Sequence, residues 1–201
     1  MTETDELVEV LEEAQRLGFL GRRPVPDVIE HASGFLAPCA DRGQFLDLGS
    51  GGGVPGLVVA QARPDARVVL LDRSGRRTDW LVRVVHRLGW HDRVTVLSAR
   101  AEDVAREPAW RETQAAVLAR GFGAPPVTAE CAAALVAVGG VVVVSEPPDE
   151  PREPRWPPSM VDYLGLARRA WRDPAFAVLD KIAPCPDVVP RRSVLRSGGS
   201  T

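Results

Sequence analysis

Apolar positions follow two rhythms along this chain. Near the start, Leu7, Val10, Leu11 and Ala14 recur at helical spacing and predict a helix over 5–17. Pro24 and Pro26 interrupt that pattern, and a second helix is expected from about Asp27 to Leu36. From residue 45 the rhythm changes. Short, nearly continuous apolar runs predict strands: FLDL (45–48), RVVLLD (67–72), RVTVL (93–97), AAVLA (115–119) and GVVVVSE (140–146). Between them lie helical segments at 54–62, 76–88 and 128–138, with a short helix or turn at 101–106. Pro55 falls in the first turn of its helix, where proline is tolerated. Strands apolar on both faces, alternating with helices, imply a parallel sheet covered on both sides. FAVLDKIA (176–183) and DVVPRRSVL (187–195), joined by Pro184-Cys185-Pro186, read as two further strands forming a hairpin that closes the sheet.

The whole reads as one α/β domain over residues 1–201. N-terminal helices occupy 1–40, a core 41–146, a proline-rich loop 147–158, and a C-terminal helix and strands 159–201. The loop, PPDEPREPRWPP, holds six prolines, a density that excludes regular structure. It leaves the C-terminal end of a strand, so it is either a surface loop or a lid.

Composition changes this picture little. The 201 residues are 45% hydrophobic and 26% charged, values of a globular domain. Net charge is −2, but residues 1–40 carry eight acids and three bases, and residues 151–201 carry nine bases and five acids. A basic end gathered on one face would suit phosphates. The three cysteines, Cys39, Cys131 and Cys185, are far apart and show no metal-ligand spacing, so no metal and no disulfide framework is expected. The acidic start lacks a signal-peptide pattern, and the longest apolar run (131–144) is too short to span a bilayer. A reducing cytoplasm is the expected address.

The candidate chemistry sits after the first strand of the alternating series. In FLDLGSGGGVPGL (45–57), five of the nine residues after Asp47 are glycine. Glycine is unfavourable inside regular structure and useful where backbone turns tightly or approaches a ligand closely. In an open parallel sheet, ligands bind outside the C-terminal strand ends, so a nucleotide-like cofactor is expected against Gly49 and Gly51. Gly51 to Gly56 formally fits the dinucleotide pattern GxGxxG. Asp47 points elsewhere: a carboxylate there suits the ammonium of S-adenosylmethionine and would repel a pyrophosphate. Asp72 ends the next strand, where an acid can bind ribose hydroxyls of either cofactor. Helix capping is the other reading of both acids. Ala101 and Glu102, after the third strand, could meet an adenine edge, or simply begin a helix. Arg120, after the fourth strand, could bind a carboxylate or an acceptor's anion, or form a rim ion pair. A P-loop is excluded because no GK[ST] follows.

FLDLGSGGGVPGL, LLDRSGRR (70–77), ARAED (99–103) and ARGFGAP (119–125) together resemble the bacterial 16S ribosomal RNA guanine-N7 methyltransferases, the glucose-inhibited division protein B family. The resemblance spans about 27–145. It implies a class I methyltransferase (Rossmann-like) fold: a mostly parallel seven-stranded sheet with N-terminal helices and a C-terminal antiparallel hairpin. It also implies S-adenosylmethionine as methyl donor and 16S ribosomal RNA, or the small ribosomal subunit, as partner. By position it assigns cofactor contacts to Gly49, Val54, Ala101, Glu102 and Arg120.

The acceptor half departs from the family pattern. His31-Ala32-Ser33-Gly34 keeps a histidine but lacks the following Asp, and the fifth strand ends Ser145-Glu146 where the family often has lysine. Glu146, Asp149, Glu150 and Glu153 would repel RNA phosphate at this mouth, whereas Arg191 and Arg192 near the basic end are candidate phosphate contacts. A small-molecule acceptor is therefore the alternative. An NAD(P)-dependent oxidoreductase and a non-catalytic cofactor-binding protein are the readings from other classes. Guanine N7 has a free lone pair and no proton to lose, so no general base is required and no catalytic side chain is singled out. Trp90, Trp110 and Trp156 are candidates to stack on a base, with packing the alternative; Trp80 and Trp171 are expected to pack.

Overall fold

The computed structural model describes residues 3–148 and 155–191. Seven strands form one sheet: β1 (Gln44–Leu48), β2 (Arg67–Asp72), β3 (Val94–Ser98), β4 (Gln114–Ala119), β5 (Val136–Ser145), β6 (Leu166–Arg169) and β7 (Phe176–Lys181). Their order is β3-β2-β1-β4-β5-β7-β6. Strands β1 to β5 pair in parallel, and β7 runs antiparallel to both β5 and β6. The chain winds outward from β1 through β2 to β3, then returns to place β4 on the other side of β1. The order thus reverses between β1 and β4, which opens a crevice at their C-terminal ends.

The apolar runs are explained by burial on both faces. Phe45, Val68, Leu70, Ala116, Leu118, Val141, Val143, Phe176 and Val178 enter one core, with the helices α1 (Glu3–Arg16), α2 (Val25–Ser33), α3 (Gly56–Ala62) and α4 (Gly75–Arg87). Their neighbours Leu46, Val69, Leu71, Val117, Ala119, Val142, Val144, Ala177 and Leu179 enter the other, with α5 (Ala101–Val104), α6 (Pro125–Leu135) and α7 (Pro158–Tyr163). Alternation survives in which core a side chain enters, not in its polarity.

Several boundaries move. The second helix begins at Val25, not Asp27, because Pro26 falls in its first turn, where the missing N–H is no loss. The helix expected over 128–138 is Pro125–Leu135. Val136 already pairs with Gln114, and the register jumps so that Ala116 meets Val141, with Gly139 at φ +85° in the bulge. The hairpin is also corrected. Its strands are 166–169 and 176–181, and residues 187–191 form no strand. The β6 run is only four residues with two arginines, too short and polar to read as a strand, whereas its pairing with β7 makes it one. The acids Asp149, Glu150 and Glu153, the lid reading that involves them, and Arg192 lie outside the described residues. Among the described residues no helix is long and apolar enough to cross a membrane. Trp80, Trp90 and Trp156 are buried. The Trp80 indole N–H donates to Glu13 Oε1 at 2.8 Å, which ties α4 to α1.

Candidate functional site

The crevice between β1 and β4 is where the glycine loop lies. Gly49 and Ser50 donate their N–H groups to Leu71 O at 2.8 and 3.0 Å, fastening the loop to the end of β2. Gly51 N–H then donates to Asp72 Oδ2 at 2.9 Å, and Ser74 N–H donates to Asp72 Oδ1 at 2.8 Å. Asp72 thus fixes the turns that leave β1 and β2, with Arg77 3.7 Å away. A carboxylate oxygen has room for more than one donor, so Asp72 keeps capacity for a ligand hydroxyl.

Gly49, Gly51 and Gly53 have φ of +78°, +53° and +85°, backbone that a side chain strains. A Cβ on Gly49 would come 2.6 Å from Phe122, in the loop after β4. Val54 is buried in the core beneath the loop. At the start of α3, Gly56 N–H donates to Asp47 Oδ2 at 2.8 Å, an approach only glycine allows, since a Cβ would lie 2.3 Å from Leu70 and 2.7 Å from that oxygen. Asp47 therefore caps a helix, yet with one oxygen only. It is 1% exposed, and its Oδ1 has no hydrogen-bond partner. Burial pushes its carboxyl up to about 7 and the charge of Asp72 adds to that, against the Gly56 N–H, the nearby Ser50 hydroxyl and the more distant Arg120, which favour the charged form.

Arg120 leaves the end of β4 on the far side of this crevice. Burial lowers its pKa first and Arg23 adds to that, while Asp47 opposes. His31, on α2, feels the same arginines: burial, then Arg120, then Arg23 lower its pKa, and Asp173 opposes them. His31 Nε2 lies 2.8 Å from Ser145 Oγ at the end of β5, and its ring stacks on Phe176 with centroids 5.1 Å apart. The structure thus brings Asp47, Gly49, Gly51, Asp72 and Arg120 together, and adds Arg23 and His31.

The loop before α2 was invisible as part of this site. Phe19 O lies 3.0 Å from where a Cβ on Gly52 would stand, the Phe19 ring meets Trp80 edge-on, and Arg76 covers that ring at 5.1 Å. Gln15 Nε2 holds Gly21 O and Arg23 O at 2.7 and 2.6 Å. No motif marks these residues. The proline interruption at 24 and 26 was the one signal of a fixed loop there.

Ala101 and Glu102 begin α5 beside the end of β3, both buried. Glu102 Oε1 accepts from Arg100 Nε at 2.7 Å, and Arg106 donates to its main-chain carbonyl at 2.8 Å. Arg106 also donates to Pro190 O, which lays the C-terminal segment along α5. Arg191 has a partner within the chain: its amide donates to Glu130 Oε2 at 2.9 Å and its Nε to Glu130 Oε1 at 2.8 Å. Among the described residues no group of three or more His, Cys, Asp or Glu could hold a metal ion.

Comparison with known proteins bears on the same segment. The family described as rRNA small subunit methyltransferase G (GidB) matches residues 7–148. A ribosomal RNA small subunit methyltransferase G from Rubrobacter xylanophilus is 42% identical over 127 residues, 61% of this chain and 48% of that protein. The protein of the same name from Moorella thermoacetica is 29% identical over 158 residues, 74% of this chain and 65% of its own length. The chain spans about half the length of the first of these relatives and under two thirds of the second. In fold it resembles an O-methyltransferase of neocarzinostatin biosynthesis crystallised with S-adenosylmethionine and 2-hydroxy-5-methyl naphthoic acid. The TM-score is 0.58 at 19% identity, covering 75% of this chain and 53% of the other.

Proposed function

This chain belongs to the GidB family, rRNA small subunit methyltransferase G, and from that premise we propose that it transfers a methyl group from S-adenosylmethionine to N7 of a guanine in 16S ribosomal RNA. The observation that carries the cofactor is Asp47. A buried carboxylate with one oxygen lacking a donor, at the switch point beneath a glycine loop, fits the ammonium of the methionine end. Gly49 and Gly51 would bring backbone against that end, and Arg120 would take its carboxylate. Asp72 would accept from the ribose, and Ala101 and Glu102 would flank the adenine.

Bound there, S-adenosylmethionine supplies an electrophilic methyl group on a sulfonium. Guanine N7 offers a lone pair and carries no proton, so the protein's residues need only hold the acceptor in line. Orientation of that kind reaches effective molarities of roughly 10⁵ M or more. A nicotinamide cofactor is disfavoured by the same acid, because Asp47 would face a pyrophosphate. A small-molecule acceptor is the second reading. It is favoured by Glu146, an acid at the end of β5 where the family often has lysine.

Titration calorimetry with S-adenosylhomocysteine and with NAD tests the cofactor. Binding of the first and not the second is expected; the reverse would sink the methyltransferase reading. Transfer of labelled methyl from S-adenosylmethionine to small ribosomal subunits or their naked RNA, with the product nucleoside identified as 7-methylguanosine, tests the acceptor. No transfer to either substrate by a chain that binds S-adenosylhomocysteine would favour the small-molecule reading.

A further inference from the structure

A cavity of about 440 Å³ lies farther along the same rim, between the C-terminal end of β5 and the facing ends of β7 and β6. Glu146, Trp156, Arg168, Trp171 and Phe176 are among its walls. It adjoins the crevice through one pair of side chains, since Phe176 stacks on His31 and His31 meets both Ser145 and the field of Arg120. Three walls are aromatic, which suits a flat ligand.

Three charged residues line the cavity, Glu146, Arg168 and Arg169, and Arg169 is already paired with Asp180. Glu146 is held in place: its N–H donates to Ala175 O at 2.7 Å and its Oε1 accepts from the Trp156 indole. Its Oε2 is buried 2.6 Å from Arg155 Nε as an ion pair without the alignment of a hydrogen bond, and the side chain is 9% exposed, so a ligand edge reaches that oxygen only by drawing Arg155 aside. Arg168 is exposed on β6, and its side chain has no ion pair or hydrogen bond among the described residues.

We propose that this cavity receives the acceptor nucleotide, with a guanine base against the aromatic walls, Glu146 on its Watson–Crick edge and its phosphate on Arg168. The inference rests on the methyltransferase reading above. A carboxylate only accepts hydrogen bonds. Among the four RNA bases, guanine alone presents two adjacent N–H donors on one edge, at N1 and N2. Docking by that edge leaves N7, on the opposite side of the purine, free of any donor. Glu146 in this role selects the base, and Arg168 offsets the repulsion of an acid toward the backbone phosphate.

The test uses the full chain saturated with S-adenosylhomocysteine. Intrinsic tryptophan fluorescence is titrated with guanosine 5′-monophosphate and with adenosine 5′-monophosphate. Quenching by the guanine nucleotide at about tenfold lower concentration is expected, the discrimination of one good two-bond base contact. Glu146→Gln should erase that preference while quenching persists. Arg168→Glu should weaken both nucleotides alike and leave guanosine, which has no phosphate, unaffected. Because Arg168 is exposed, its variant keeps the test decisive if Glu146→Gln does not fold. Absence of quenching while S-adenosylhomocysteine still binds, or equal quenching that neither variant changes, would overturn the cavity assignment. Failure of the unaltered chain to bind S-adenosylhomocysteine would instead overturn the methyltransferase reading, and this inference with it.

Discussion

Asp47 shows how a single residue serves two ends. Oδ2 holds the start of α3 through Gly56, and Oδ1 has no donor. Burial raises its pKa from 3.8 to about 7, so the folded chain keeps a proton that the unfolded chain releases. The sign follows from proton linkage: the folded state binds more protons between about pH 4 and 7, so stability falls as pH rises through that window and levels above it. Asp47→Asn should flatten this slope in urea unfolding measured across pH. A ligand ammonium prefers the ionised carboxylate, so affinity for S-adenosylhomocysteine should rise with pH to about 7 and then level. Asp47→Asn should abolish that rise in calorimetry and weaken binding by about 1.5–3 kcal/mol, the range for a hydrogen bond to a charged group. Affinity independent of pH from 5 to 8 would remove Asp47 from the ammonium contact.

At the scale of the element, the glycine loop divides into positions that face a ligand and positions that fit the loop to the sheet. A Cβ at Gly51 would meet Phe19 O at 3.6 Å, an ordinary distance, so the protein has room there. Its φ of +53° makes a β-branched residue strained by about 1–3 kcal/mol. Gly51→Val should therefore remain folded by circular dichroism and lose cofactor binding. Gly56 is different, because its Cβ would enter both Leu70 and Asp47. Gly56→Ala should lower stability by about 1–3 kcal/mol through overpacking and weaken the ligand as well, since α3 must move off β1. If Gly51→Val keeps normal affinity for S-adenosylhomocysteine, the loop is a structural turn only.

Across the whole molecule, the far side of the sheet is closed by charge inside the fold. Lys181 is the one lysine of the chain and is 1% exposed. Its ammonium donates to Leu164 O at 3.0 Å and meets Glu112 Oε1 at 2.9 Å, and that oxygen also accepts from Cys185 N–H at 2.8 Å. The strand β7, the turn before β6 and the segment after β7 are thereby joined at one point. Glu112→Ala would leave a buried ammonium without its counter-ion and should destabilise by about 3–5 kcal/mol. A shift of the urea midpoint within error of the unaltered protein would refute that joint. Arg191 is likewise bound to buried Glu130, so the basic end is partly neutralised within the chain before any RNA phosphate reaches it.

The order of residues was enough to read the strand and helix alternation, the placement of the glycine loop after β1 and the acids Asp47 and Asp72 flanking it. These follow from local rules: a strand buried on both faces must be apolar, and a tight turn near a ligand must be glycine. Tertiary structure alone decided what those residues face. That Asp47 spends one oxygen on Gly56, that Phe19 covers Gly52, and that Arg23 joins Arg120 near His31 all depend on segments distant in sequence meeting at one rim. The hairpin lies at 166–169 and 176–181, away from its expected position, for the same reason. A four-residue run with two arginines becomes a strand only because β7 supplies its hydrogen bonds. The cavity at Glu146 is assembled from β5, β6, β7 and the turn before α7, and no stretch of the chain carries its outline.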